Sequence, residues 1–71
     1  MIVVAKDIYG MSGKDAYYKE VPDGCFKFTP NKNDATNLTN SQVSAILEHE
    51  EYYCRLYGAR KLETAPPTLP N

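Results

Sequence analysis

Apolar and polar positions follow two different periods along this chain, strand-like up to Thr29 and helix-like from Thr39 onward. Met1 to Lys6 (MIVVAK) is a short apolar, β-branched run, the composition of a strand with both faces largely buried. Ala16 to Val21 (AYYKEV) reads as a second strand. Cys25 to Thr29 (CFKFT), alternating at Phe26, Lys27 and Phe28, reads as a third. Pro22-Asp23-Gly24 between them is a turn, because proline presets φ and glycine accepts a left-handed conformation. Two strand-like runs separated by three such residues predict a hairpin with a glycine bulge. Asp7 to Asp15 contains Gly10, Ser12 and Gly13 and reads as a loop that lets strand one pair with strand two. Pro30 ends the third strand, since it has no N–H to give to a ladder.

The segment TNSQVSAILEHEEYYCRLYG, Thr39 to Gly58, carries the helical signals. Thr39 and Gln42 form a capping box, with Leu38 and Val43 at the two positions of a hydrophobic staple. Val43, Ile46, Leu47, Cys54 and Tyr57 keep the helical period, with Tyr53 at the edge of the stripe. Glu51 and Arg55 are an i,i+4 ion pair in the favourable order. Gly58 is a natural C′ residue, with Arg60 and Lys61 just beyond it. These features predict one helix over about 40–57. Glu50 interrupts the stripe, however, and Tyr52 to Tyr57 is rich in β-formers. The rival is a helix ending near 50 and a fourth strand over about 52–62. The absence of Gly, Asn or Pro between Leu47 and Tyr57 favours the long helix. The expected architecture is α+β: a three-stranded antiparallel sheet, with strands near 1–6, 16–21 and 25–29, packed by one helix. Residues 1–63 form the domain, and 64–71 (TAPPTLPN) form an extended, polyproline-like tail.

With this order of parts, the stretch NDATNLTNSQVSAIL resembles small uncharacterised proteins of phages and prophages. In these, a hairpin leads through an A-x-x-L-T approach, here Ala35 to Thr39, into a single helix. The resemblance covers roughly the first two thirds of the chain and lies in element order. It implies a fold, a phage or prophage setting, and a return to a strand after the helix. It transfers no functional residue.

Composition narrows the picture. With 71 residues, the chain is one domain that buries about 60% of its unfolded surface. An apolar content of 42% and a charged content of 24% suit a folded protein. Lys+Arg 8 against Asp+Glu 9 gives a net charge of −1, which lacks the basic excess of a nucleic-acid module and resists self-association little. Cys25 and Cys54 are too few for a disulfide framework. The opening residues lack the pattern of a secretion signal, and no run approaches the ~18 apolar residues of a membrane helix. The expectation is a cytoplasmic protein without a membrane partner, in which the sequon Asn37-Leu38-Thr39 is incidental.

Catalytic motifs fail on inspection. Gly10-Met11-Ser12-Gly13-Lys14 has two residues between its glycines where a phosphate loop needs four, and Asp15 stands where Ser or Thr belongs. A GxxG clamp of the KH type joins helices, whereas this one joins strands. His49 lies among Glu48, Glu50 and Glu51 with no nucleophile at helical spacing, as on a solvated acidic face. Cys25, Cys54 and His49 lack the paired close spacing of zinc ligands. Pro67-Thr68-Leu69-Pro70 is a bare PxxP without a neighbouring basic residue. Neither an enzyme, a cofactor nor a metal is expected.

Six tyrosines against two phenylalanines and no tryptophan are the compositional oddity. Tyrosine combines contact area with a polar end and is enriched at interface hot spots. Within Tyr17-Tyr18 on a strand, and Tyr52-Tyr53 on a helix, neighbouring rings point to different sides. Some must therefore meet solvent. Tyr17, Tyr18, Tyr52, Tyr53, Arg55, Arg60 and Lys61 are the candidate partner-binding residues. The expected function is a small non-enzymatic protein-binding accessory or inhibitory module, phage-encoded and acting on a host protein. Two alternatives stand beside it. One is nucleic-acid binding through Arg55, Arg60, Lys61 and nearby tyrosines, against which the acidic residues Glu48, Glu50 and Glu51 weigh. The other is a structural homo-oligomer.

Overall fold

A computed structural model describes residues 1–67. Its strands are β1 (Ile2–Lys6), β2 (Ala16–Glu20), β3 (Phe26–Thr29) and β4 (Lys61–Ala65), and its helices are α1 (Asn40–Glu48) and α2 (Glu50–Tyr57). The strands form one antiparallel sheet in the order β3-β2-β1-β4. The first three strands lie where the sequence places them. The rest needs two corrections: the sheet has four strands, and the helical segment is two helices.

The fourth strand combines the two expected alternatives, because the chain stays helical to Tyr57 and then still returns to the sheet. It begins later than the expected 52–62. It also runs beyond the expected domain end at 63, pairing Thr64 with Val3 and Ala65 with Ile2. The reason lies in β1. Ile2, Val3, Val4 and Ala5 are all buried, and a strand apolar on both sides belongs at the centre of a sheet, not at an edge. Beyond Pro67, the tail and most of its PxxP pattern lie outside the described residues.

Strand alternation and register put Val3, Ala5, Ala16, Tyr18, Phe28 and Leu62 on the side facing the helices. These join Leu38, Val43 and Ile46 in one apolar cluster. Tyr17, Lys19 and Lys27 take the opposite face. The connection after β3 crosses β2 to reach its other edge. There the Thr36 N–H donates to the Tyr18 carbonyl at 3.0 Å, and the Thr36 hydroxyl accepts from the Glu20 N–H at 2.8 Å. Leu38 then bonds the Met1 carbonyl at 2.8 Å, which ties the approach to α1 onto the start of β1.

α1 starts as its sequence dictates. The Thr39 hydroxyl accepts from the Gln42 N–H at 3.2 Å, and the Gln42 side chain accepts from the Thr39 N–H at 2.9 Å. Such a cap is worth about 1 kcal/mol. Leu38 and Val43, the staple pair, are both buried. The helix breaks at His49 (φ −110°, ψ 29°), with no glycine or proline present to cause it. The break is a tertiary effect. It turns Glu50 toward β4, where its carboxylate accepts from the Leu62 N–H at 2.8 Å. By register, that N–H lies on the outer edge of β4, so the bond also blunts an otherwise open strand edge. α2 stops at Gly58 in the left-handed conformation (φ 59°).

Candidate functional site

α2 and the β2–β3 hairpin meet through aromatic rings. Tyr18 and Phe26 stack with centroids 5.4 Å apart. The Tyr53 ring stands nearly perpendicular to both, at 6.2 Å and 5.2 Å. Tyr57 packs 4.6 Å from Phe28, and Tyr52 sits edge-on to Tyr53 at 5.3 Å. Such pairs add about 0.5–1.5 kcal/mol each beyond the area they bury. Burial pushes the Tyr18, Tyr53 and Tyr57 hydroxyls above their ordinary titration range. Nearby Tyr9 and Tyr52 push Tyr57 further in the same direction. On the outer side of this cluster Tyr52 is 56% and Leu56 50% exposed. The two are one helical turn apart.

The β1–β2 loop adjoins the C-terminal end of α2. A Cβ built on Gly58 would lie 3.1 Å from the Tyr9 Cα, and the Gly10 N–H donates to the Gly58 carbonyl at 3.1 Å. Asp7 (φ 55°) and Tyr9 (φ 57°) are left-handed without being glycine, a conformation costing roughly 1–2 kcal/mol each. The surroundings hold them there. The Asp7 carboxylate accepts from the Gly13 N–H and from Arg60 Nε, both at 2.7 Å. Asp15 accepts from Lys6 Nζ at 2.8 Å and from the Asp7 N–H at 3.2 Å. The Arg60 and Lys6 partners hold the Asp7 and Asp15 carboxyls below the usual carboxylate range. Ile8 anchors the loop in the core, while Tyr9 and Met11 are 63% and 53% exposed. Lys14 Nζ lies 5.8 Å from the Tyr9 ring centroid.

Two concavities flank α2. One of about 260 Å³ lies between β2 and the helix break, among Tyr18, Glu20, Gln42, Ile46, His49 and Tyr53. The other, about 310 Å³, lies on the outer helical face among Glu48, His49, Glu51, Tyr52 and Arg55. Neither pairs a nucleophile with a base. Burial, reinforced by Glu50, pushes the Cys54 thiol up, away from a reactive thiolate. Among the described residues, no three His, Cys, Asp or Glu side chains converge in a metal-holding group. Nor is any described helix long and apolar enough to cross a membrane.

Of the residues singled out from sequence, Tyr18, Tyr52 and Tyr53 come together, with Arg55 beside Tyr52 and paired to Glu51. Tyr18 is a buried core ring. Tyr17 points to the opposite face of the sheet. Arg60 is engaged by Asp7 at 2.7 Å, and Lys61 by Glu63 at 2.6 Å, both away from the rings. Sequence reasoning missed Tyr9, Met11 and Leu56. Leu56 was legible as the i+4 partner of Tyr52. Tyr9 belongs to the tyrosine excess without a local signal to mark it out, and Met11 carries no signal beyond its glycine neighbours.

No protein-family model matches the chain, and no match emerges among curated proteins or solved structures.

Proposed function

We propose that this chain is a small non-enzymatic protein-binding module, an accessory or inhibitory factor of phage origin that acts on a host protein. The observation that carries this reading is the exposed pair Tyr52 and Leu56, one turn apart on α2, with the exposed Tyr9 meeting the C-terminal end of the same helix at Gly58. Tyr52 packs edge-on to Tyr53, so the pair borders a cluster of packed rings. Single exposed apolar residues are ordinary; an exposed aromatic and aliphatic pair bordering packed rings has the make-up of an interface hot spot. Its backing rings are already ordered, so a partner binding there pays little conformational entropy.

The cations proposed from sequence for nucleic-acid binding are each paired with a carboxylate: Arg55 with Glu51, Arg60 with Asp7, and Lys61 with Glu63. The protein-binding reading therefore has the stronger support. The test is capture of partners by tagged protein, comparing wild type with Tyr52→Ala/Leu56→Ala and with Lys27→Ala on the opposite face. Loss of a specific partner in the first variant and retention in the second is the expected outcome. Equal capture by all three removes the site. Oligonucleotide binding at low salt that Arg55→Ala abolishes puts the nucleic-acid reading first.

A further inference from the structure

The concavity of about 260 Å³ at the helix break holds its one carboxylate in an unusual way. Its walls include Tyr18 and Glu20 of β2, Gln42 and Ile46 of α1, His49 at the break and Tyr53 of α2. By strand alternation Glu20 shares the helix-facing side with Tyr18, whereas Lys19 between them takes the other face. The Gln42 side chain fixes the Glu20 carboxylate. Its Nε2 donates to Glu20 Oε1 at 3.0 Å, while its own Oε1 accepts from the Thr39 N–H at 2.9 Å. The residue that completes the cap of α1 therefore also positions a carboxylate at the concavity. Asp7, Asp15, Glu51 and Glu63 are each met by a cation. Glu20 is met by an uncharged amide. Among the described residues no cationic side chain lies within salt-bridge distance of it.

We infer that this concavity receives an arginine side chain of the partner protein. The inference rests on the protein-binding reading above and adds the chemistry of the partner. The concavity adjoins the exposed face of α2: His49 lines both it and the concavity beside Tyr52, and Tyr53 packs against Tyr52. An apolar or anionic group seated here would leave the carboxylate desolvated without a counter-charge, which is costly. A cation is favoured twice, by the tyrosine rings and by the positioned carboxylate. A guanidinium suits this pair better than an ammonium. It is planar and weakly hydrated, and it stacks on aromatic faces while its N–H groups reach a carboxylate. About 260 Å³ falls below the roughly 300–1,000 Å³ of a small-molecule site, so the space suits one side chain. The chain's own arginines, Arg55 and Arg60, are both engaged by carboxylates. A second copy therefore offers no free guanidinium, and the partner is a different protein.

Titration of the full chain with N-acetyl-arginine methylamide, followed by the Tyr18 and Tyr53 ring resonances, tests the inference. Saturable shifts with a millimolar Kd are expected. The citrulline counterpart, which keeps the shape and loses the charge, should bind at least about tenfold more weakly, the scale of one hydrogen bond to a charged group. The lysine counterpart should fall between them. Glu20→Gln should weaken the arginine probe by a similar factor at an unchanged thermal midpoint, and Glu63→Gln on the opposite face should leave it as in wild type. Glu20→Gln should also weaken capture of the partner found through Tyr52 and Leu56. No saturable shift, equal binding of the citrulline probe, or indifference to Glu20→Gln overturns the inference. If capture through Tyr52 and Leu56 persists in that case, the protein-binding reading stands without this contact. Normal arginine binding by a chain that captures no protein overturns that reading, and with it the assignment to a partner's side chain.

Discussion

α1 and α2 follow one another with a single residue between them, yet they are held by different physics. α1 buries Val43 and Ile46 against the sheet and begins with a complete capping box. α2 has no fully buried residue and no side-chain cap at its start. It is held by half-buried rings on its inner side, by the Glu50 bond to Leu62 and by the turn at Gly58, and it leaves Tyr52 and Leu56 in solvent. The first helix buries Val43 and Ile46 and leaves only Leu47 of the expected stripe exposed, at 36%. The second places part of its apolar surface outside. In a chain this small that is costly, because little core is available to compensate for surface left unburied.

Substitutions can break that contrast. Ile46→Ala is expected to cost about 2–5 kcal/mol, read as a fall in the denaturant midpoint. Gly58→Ala comes next, at about 1–2 kcal/mol, because Ala must sit left-handed with its Cβ against the Tyr9 backbone. A smaller denaturation midpoint shift for Gly58→Ala than for Ala45→Gly, an exposed α1 change worth about 1 kcal/mol, would show that this close approach is relaxed. Thr39→Ala should cost about 1 kcal/mol by removing half of the capping box, with helical circular dichroism falling first in α1. Tyr52→Ala should cost about 0.5–1.5 kcal/mol through its edge-on pair with Tyr53, and Leu56→Ala, the smallest, should stay within about 0.5 kcal/mol of wild type. A large loss in either variant would mean that the outer face of α2 serves the fold after all.

Acid sharpens the comparison at the loop that α2 abuts. Asp7 and Asp15 titrate below their ordinary value of 3.8, held down first by Arg60 and by Lys6 respectively. A lowered folded value stabilises the folded form fully above 3.8. That contribution is lost as pH falls through the lowered values. Protection of the Gly13 amide, whose N–H is bonded to Asp7, against exchange should therefore fall below pH 3.8 before that of the α1 amides. Simultaneous loss of protection at both sites would show that the loop does not open separately from the core.

Much of this was legible in the residues. The capping box, the staple, the Glu51–Arg55 pair and the Gly58 stop are local signals, set by spacings of three to five residues, and each appears as read. The turn at Pro22-Asp23-Gly24 was legible in place but not in form. Asp23 joins Gly24 in the left-handed region (φ 76° and 73°), where glycine alone was expected. Lys61 to Ala65 (KLETA) has little strand character of its own. Its pairing is decided by β1, which requires a neighbour on each edge. The break at His49 has no local breaker. It follows from Glu50 reaching Leu62 and from Tyr53 reaching the hairpin, contacts between residues far apart in the chain. The candidate site was half legible for the same reason. Tyr52 and Tyr53 stand out in the sequence, but the loop that brings Tyr9 to the end of α2 is defined by bonds from Asp7 to Arg60 and from Gly10 to Gly58.

The sequence by itself determined the strands of the hairpin, the start of α1, the end of α2 and the presence of more tyrosine than the core can take. Each depends on backbone preferences and side-chain periods that act within a turn or two of the chain. Tertiary structure alone decided that there are four strands, that the helix is two, and which tyrosines face water. Those outcomes depend on filling both edges of an apolar central strand and on fitting rings between a hairpin and a helix, and only the assembled sheet poses those requirements.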